Sequence, residues 1–328
     1  MTMNWPQLSI LITGGTGSFG KQFAELLLTK HRPKRLIIFS RDELKQLEMR
    51  EQFPESPDSP IRYFIGDVRD KDRLYRAFRG VDVVVHAAAL KQVPTGEYNP
   101  LEVIKTNILG AANLIDAAID CGVKKVVALS TDKAVCPVNL YGATKLCADK
   151  LFTAAGVYAG SQNTSFAVVR YGNVIGSRGS VIPLFRERRA TGVVPITDPR
   201  MTRFWITLEQ ATELVVRSLH LMQGGEIFVP KIPSTRIVDV AQAIAPGCRH
   251  EVVGIRPGEK LHEVLLSEDE AQRTVQLEDC FVVRSMTPSG ARRNGVLEGA
   301  KPVPKNFHYS SDTNDWWLTV DELRQLAA

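Results

Sequence analysis

Six short apolar runs, most of them rich in β-branched residues, punctuate the first half of the chain: LSILIT (8–13), RLIIF (35–39), IRYFIG (61–66), VDVVVHA (81–87), KKVVALS (124–130) and SFAVVR (165–170). Segments of helical character separate them, at 18–30, 42–52, 70–79, 100–121 and 140–156. Strands that stay apolar are buried on both faces, and their alternation with helices predicts a parallel sheet covered on both sides. Asn99 and Pro100 read as the N-cap and first residue of the helix at 100. Past Arg170 the rhythm breaks: proline and glycine become frequent and the strands shorten to FWIT, EIFV and HEVVGI. Residues 173–328 therefore read as a smaller α+β lobe, with part of 207–230 returning to complete the sheet formed by residues 1–172. The stretch TVDE (319–322) has the form of a capping box and starts a last helix.

The 328 residues, 44% hydrophobic and 23% charged, suit a soluble globular enzyme with a full core. No apolar run approaches the ~18 residues that cross a bilayer, and the N-terminus has no basic leader, so a cytoplasmic protein without membrane contact is expected. A net charge of +5 is modest. No basic stripe interleaved with aromatics is present, which argues against nucleic acid, and RERR (186–189) reads as a solvated helix face. The five cysteines (Cys121, Cys136, Cys147, Cys248, Cys280) lie far apart, with no Cys-x-x-Cys pair and no histidine cluster, so reduced thiols and no metal site are expected.

The first chemistry lies in LITGGTGSFGKQF. Gly15, Gly17 and Gly20 have G-x-G-x-x-G spacing and Gly14 adds an overlapping glycine, after a strand and at the start of a helix. Such a turn lets the backbone approach a pyrophosphate whose charge sits at the helix N-terminus, so a Rossmann-type doubly wound dinucleotide domain is expected. Gly14, Thr16, Gly17, Ser18, Phe19 and Gly20 are the expected contacts there. The second strand ends in Ser40 and Arg41, with Lys45 one turn on, a fork and a cation that suit the 2′-phosphate of NADP. In the alternative, Asp42 accepts the ribose hydroxyls and Arg41 is a surface residue. Asp67 and Val68 of GDVRD face the adenine, and Ala87, Ala88 and Ala89 of HAAAL are small enough for the dinucleotide to lie close. His86 reads as structural.

LSTDKAVCPVNLYGATK (129–145) holds two unlike chemistries. Tyr141 and Lys145, four apart, share a helix face. A free tyrosine has a pKa of about 10, too high to serve as a base at neutral pH, where it stays protonated, and a neighbouring ammonium with a positive nicotinamide would favour the phenolate and lower it. Just upstream, Thr131, Asp132 and Lys133 set an acid beside a base, which a simple dehydrogenase does not need.

These stretches, with SRDELKQ, FIGDVRD, HAAALK, VVRYGNVIGSRGSV, PITDPRMTRFWIT, GGEIFVPKIPS and IRPGEKLHEV, resemble the extended short-chain dehydrogenases/reductases of the nucleotide-sugar type. More narrowly they resemble the soluble inverting UDP-N-acetylglucosamine 4,6-dehydratases that open pseudaminic acid-type synthesis. The likeness covers nearly the whole chain; Gln92 and AVCP after Lys133 depart from the usual text. It implies oxidation at C4, loss of water across C5 and C6, and return of the hydride to C6, with NADP as cofactor. Tyr141 would take the C4 hydroxyl proton, Lys133 the C5 proton, and Asp132 would protonate the leaving C6 hydroxyl. Thr131 would hold the C4 oxygen and Lys145 the nicotinamide ribose, with Asn107 a further cofactor contact. UDP-N-acetylglucosamine would meet Lys91, Tyr171, Asn173, the backbone of Val181, Pro195, Thr197, Met201, Arg203, Arg256 and Glu259. A homo-oligomer, dimer or hexamer, is expected from the same resemblance. Two rivals stand beside this: a UDP-sugar 4-epimerase on the same fold, which needs no acid–base pair at C5 and C6, and a non-catalytic NADP-sensing protein.

Overall fold

The computed structural model describes residues 3–160, 163–176, 181–286, 297 and 300–327. Each of the six apolar runs forms a strand: β1 (Ser9–Thr13), β2 (Arg35–Ser40), β3 (Ile61–Ile65), β4 (Val83–His86), β5 (Lys125–Thr131) and β6 (Ser165–Tyr171). Every residue of β1 and β4 is buried, as strands covered on both faces require. Four more strands come from the second half: β7 (Glu226–Pro230), β8 (Thr274–Gln276), β9 (Cys280–Val283) and β10 (Lys301–Pro302). The resulting sheet has ten strands in the order β10-β8-β9-β7-β6-β5-β4-β1-β2-β3. Neighbours from β3 to β7 run parallel, and β9, β8 and β10 add an antiparallel edge. The sheet thus draws on 274–302 as well as on the expected 207–230, because strands of two to four residues leave little period to read.

The helices are α1 (Ser18–Leu26), α2 (Glu43–Gln52), α3 (Lys71–Phe78), α4 (Val93–Tyr98), α5 (Pro100–Ile104), α6 (Gly110–Asp120) and α7 (Leu140–Ala154). The run expected at 100–121 is interrupted: α5 and α6 are joined by a π-helical turn, Lys105–Leu109. Asn99 stands at the N-cap of α5 without capping it; its amide donates to Thr95 O at 3.0 Å. Asp42, Asp70 and Asn139 do cap α2, α3 and α7.

Beyond β6 the described residues build three small sheets, one of them Ser234–Arg236, Thr202–Ile206 and Asn173–Val174. The lobe has a second core of Phe185, Ile196, Met201, Trp205, Val240 and Leu323, separate from the core under the large sheet, which takes in Leu265, Leu266 and Tyr309 of one small sheet. The capping box at 319 forms, with Thr319 N donating to Glu322 Oε2 at 2.8 Å and Glu322 N to Thr319 Oγ1 at 3.3 Å. The RERR stretch is exposed. His86 is structural, its Nδ1 hydrogen-bonded to Thr13 Oγ1 at 2.7 Å inside the sheet.

One buried cation ties sheet, helix and lobe together. Arg170 of β6, 1% exposed, reaches Asp149 of α7 at 3.3 Å, Glu270 at 2.9 Å and Leu265 O at 3.1 Å. Burial works against the charge on Glu270, yet Arg170 holds its carboxyl below the usual range. Removing one partner of a buried ion cluster leaves charges uncompensated and costs about 3–5 kcal/mol. Arg170→Met is therefore expected to lose that much stability in urea unfolding, and a loss below about 1 kcal/mol would contradict the role given to this cluster.

Candidate active site

The strand order reverses direction between β1 and β4, which opens a crevice at the carboxyl ends of the strands. A cleft of about 830 Å³ occupies it and continues to the lobe. At one end, Gly14 has φ +65°, and a Cβ on it would stand 2.8 Å from Ala88 N, so glycine alone lets the loop after β4 close on the turn. Gly17 caps α1 with no side chain, and no acid lies in the first helical turn. The first N–H groups of α1 thus suit a phosphate, and a nicotinamide dinucleotide fits the glycine turn.

Every expected cofactor residue except Asn107 borders the cleft: Gly14, Thr16, Gly17, Ser18, Phe19, Gly20, Ser40, Arg41, Lys45, Asp67, Val68, Ala87, Ala88, Ala89, Tyr141 and Lys145. Asn107 is buried in the π turn. Its side chain accepts from Leu90 N at 2.9 Å and donates to Leu90 O at 2.9 Å and Thr144 Oγ1 at 3.0 Å. It braces the loop after β4 against α7, with its amide committed to protein. At the tip of β2, Ser40 Oγ and Thr16 Oγ1 lie 2.9 Å apart, and Arg41 Nη1 is 3.4 Å from Asp67 Oδ2. Asp42 is engaged as the cap of α2, accepting from Lys45 N at 3.0 Å.

The other end of the cleft lies where β5 meets α7. Thr131 ends β5, and Asp132 and Lys133 follow in a short 3-10 turn, Asp132–Ala134. Asp132 Oδ1 accepts from Thr131 Oγ1 at 2.9 Å and from Lys133 Nζ at 3.0 Å. Thr131, Lys133, Tyr141 and Lys145 border the cleft, whereas Asp132 is fully buried behind them, its Oδ2 without a hydrogen-bond partner among the described residues. Lys133 has a second carboxylate at 3.4 Å, Glu263 Oε1. Burial pushes the lysine down, but Asp132 and Glu263 outweigh it and hold Lys133 well above the usual lysine range.

Burial also pushes the Tyr141 phenol up to about 12, against the nearby Lys133 charge and a hydrogen bond with Thr131. The lowering expected from Lys145 is thus not seen in the protein alone. Lys145 Nζ donates to Leu129 O at 2.6 Å, and burial pulls this lysine below its usual range while Asp149 opposes that.

The contact of α7 with the 131–133 turn depends on Gly142, whose Cβ would lie 2.2 Å from Lys133 O. Asn139 accepts from Gly142 N at 2.7 Å and donates to Gly258 O at 2.7 Å, joining the start of α7 to the lobe. Gly142, Asn139 and Glu263 were not among the expected site residues. Asn139 carries a readable signal, a cap residue before a helix. Glu263 has none, since nothing in LHEV links it to a lysine 130 positions away.

Of the expected sugar-nucleotide contacts, Lys91, Tyr171, Asn173, Val181, Arg203, Arg256 and Glu259 border the cleft. Burial draws Lys91 below the usual lysine range, with Lys133 adding to the effect. Pro195, Thr197 and Met201 do not border it: Pro195 pairs with Glu251 in a small sheet, Thr197 follows that strand, and Met201 is in the lobe core. Arg203 spends its guanidinium on Thr202 O at 2.6 Å, Leu261 O at 3.1 Å and Lys260 O at 3.0 Å, so it holds the 260–263 segment. Residues 177–180 of RYGNVIGSRGSV lie outside the described residues. Among the described residues no His, Cys, Asp and Glu cluster could hold a metal ion, and no helix is long and apolar enough to cross a membrane.

The sequence profile described as "Polysaccharide biosynthesis protein" matches residues 10–285. A UDP-N-acetylglucosamine 4,6-dehydratase (inverting) from Campylobacter jejuni is 52% identical over 97% of this chain and 96% of its own. A UDP-glucose 4-epimerase from Rickettsia conorii is 40% identical over 97% and 94%. Among solved structures, Pen from Bacillus thuringiensis superposes with a TM-score of 0.89 at 40% identity, over 99% of both chains. DesIV from Streptomyces venezuelae, a dTDP-glucose 4,6-dehydratase with NAD and TYD bound, shares the fold with a TM-score of 0.68 at 24% identity, over 77% of this chain and 87% of its own. Matched over most of its length by that profile, the chain belongs to the polysaccharide biosynthesis protein family.

Proposed function

We propose that this protein is an inverting UDP-N-acetylglucosamine 4,6-dehydratase, an NADP-dependent lyase of pseudaminic acid-type nucleotide-sugar synthesis, working as a cytoplasmic homo-oligomer. The sheet and the turns after its first five strands would hold the dinucleotide, and the lobe most of the UDP-sugar. The observation that carries this is the Asp132–Lys133 ion pair at 3.0 Å, with Lys133 at the wall of the cleft that Tyr141 also borders. The extent of the identity with the Campylobacter dehydratase supports the substrate.

A bound nicotinamide dinucleotide would supply a reversible hydride acceptor. The remaining work falls to the chain. Tyr141 takes the C4 hydroxyl proton, and its raised pKa means that it does so only with added positive charge beside it. The ketone then acidifies C5. Lys133 removes that proton as a free amine, which requires its resting proton to move first to a neighbour. Asp132, in direct contact, is that neighbour, and once protonated it becomes the acid for the C6 hydroxyl. Because Asp132 lies behind the cleft wall, its proton reaches the leaving hydroxyl through Thr131, whose hydroxyl is bonded to Oδ1 and borders the cleft, while Lys133 keeps the proton it takes from C5. Lys91, Tyr171, Asn173, Val181, Arg256 and Glu259 are the proposed contacts of the sugar nucleotide.

Arg41 and Lys45 at the ribose end of the cleft support NADP over NAD, and Asp42, which borders the same end, is taken up by Lys45, whose N–H it caps and whose Nζ it pairs with at 2.5 Å. The identity with the Rickettsia epimerase favours one rival. An epimerase returns hydride to C4 and needs no base at C5, so the buried Asp132–Lys133 pair would be idle in it.

Arg41→Ala is expected to weaken NADP binding about tenfold while changing NAD by less than about threefold in fluorescence titration. Equal weakening would remove the 2′-phosphate role. Lys133→Ala is expected to lower dehydration of UDP-N-acetylglucosamine by at least about a thousandfold, with dinucleotide binding intact. Near-normal turnover in that variant would overturn Lys133 as the C5 base.

A further inference from the structure

Glu263 belongs to the lobe and touches the chemistry of the sheet domain. It is 2% exposed and borders the cleft. Its backbone is fixed from both sides: Glu263 N donates to Ser311 Oγ at 3.0 Å, and Ser311 N donates to Glu263 O at 2.9 Å. Thr202 holds that serine in turn, with the two hydroxyls 2.7 Å apart. The carboxylate therefore projects from a rigid support. Oε1 lies 3.4 Å from Lys133 Nζ and 3.9 Å from Arg203 Nε, while Oε2 is buried without a hydrogen bond, 3.7 Å from Lys260 Nζ. Lys260 itself donates to Val135 O at 2.6 Å, so the same lobe segment grips the turn that bears Lys133.

Lys133 needs such a partner. Asp132 is its chain neighbour, and a contact between adjacent residues leaves a four-carbon side chain free to swing. A second anion from across the cleft fixes the direction of Nζ. We infer that Glu263 is the positioning residue of the Lys133 amine, holding it at the cleft wall as an ammonium between two carboxylates and deciding how readily it becomes a free base. The charged and titratable groups facing Lys133 are Asp132 on its own turn, Glu263 with Arg203 and Lys260 behind it in the lobe, Tyr141 on α7, and Lys91 on the loop before α4. Of the two anions, Glu263 alone borders the cleft. The direction agrees: both carboxylates raise Lys133 against the effect of burial, so removing one lets the amine lose its proton at lower pH.

The turnover part of this inference rests on the dehydratase reading; the amine part does not. The test uses the full chain with bound dinucleotide and compares the native protein with Glu263→Gln and Glu263→Asp. Reductive methylation at pH 8, read at Lys133 by peptide mass spectrometry, reports the free amine. In Glu263→Gln, methylation of Lys133 is expected to run about tenfold faster, because the loss of one flanking carboxylate leaves more of the amine unprotonated. Turnover of UDP-N-acetylglucosamine should fall about tenfold with KM changed by less than about threefold. Glu263→Asp should keep slow methylation and recover at least about a third of native turnover.

Unchanged methylation in a Glu263→Gln protein that still binds the dinucleotide overturns the inference. Should that variant fail to bind it, Glu263→Asp decides: fast methylation together with lost turnover overturns the role of the charge, and retention of both native properties supports it. A native protein that does not dehydrate UDP-N-acetylglucosamine would sink the dehydratase reading, while the methylation rates still judge Glu263.

Discussion

Helix α7 has to lie against the turn that carries Thr131, Asp132 and Lys133, and a missing side chain is what permits it. A methyl group on Gly142 would fall 2.2 Å from the Lys133 carbonyl oxygen, well inside van der Waals contact. From this one approach follows the sharing of a single cleft by Tyr141, Lys145, Thr131 and Lys133. The rest of the structure holds α7 in that position. Asn139 caps its start and reaches the lobe at Gly258, Asn107 braces its middle through Thr144, and Asp149 anchors its last turns to Arg170.

The electrostatics of the cleft follow from the same closeness. Lys91, Lys133 and Lys145 all border one cavity, and burial penalises the charge of each. Lys91 and Lys145 are drawn below the usual range. Lys133 goes the other way because two carboxylates flank it. A tyrosine pushed up to about 12 and a lysine held as an ammonium form a site at rest, in which neither group is yet a base. A ligand that brings positive charge toward Tyr141, or that displaces the proton of Lys133, would set the site working.

Much of this was legible in the sequence, for reasons that differ from part to part. Strands β1, β2, β4, β5 and β6 stood out because burial on both faces makes them largely apolar, and the half-buried edge strand β3 stood out by its β-branched and aromatic residues. The glycine turn and the Tyr141–Lys145 spacing were readable because their chemistry depends on local geometry. Helix α4 was missed, since VPTGEY contains a proline and a glycine and is only one and a half turns long. The π turn at Lys105–Leu109 leaves no mark in a hydrophobic pattern, and with it went the true role of Asn107. In the lobe, the resemblance had PITDPRMTRFW offering Pro195, Thr197, Met201 and Arg203 to the ligand. Instead it sends Ile196, Met201 and Trp205 into a core and leaves Pro195 and Thr197 away from the cleft. Glu263 escaped for the deepest reason: its partner is far along the chain, and only the folded lobe brings the two together.

The most direct measurement of the central claim, that both chemistries act in turn on one sugar in one cleft, is a labelled turnover followed by proton and deuterium NMR. UDP-N-acetylglucosamine carrying deuterium at C4 is given to the protein with only its bound dinucleotide, in ordinary water. The 4-keto-6-deoxy product should carry that deuterium at C6, with L-arabino configuration at C5 and no net consumption of NADPH. Deuterium lost to solvent, or found again at C4 of a simple epimer, would contradict it.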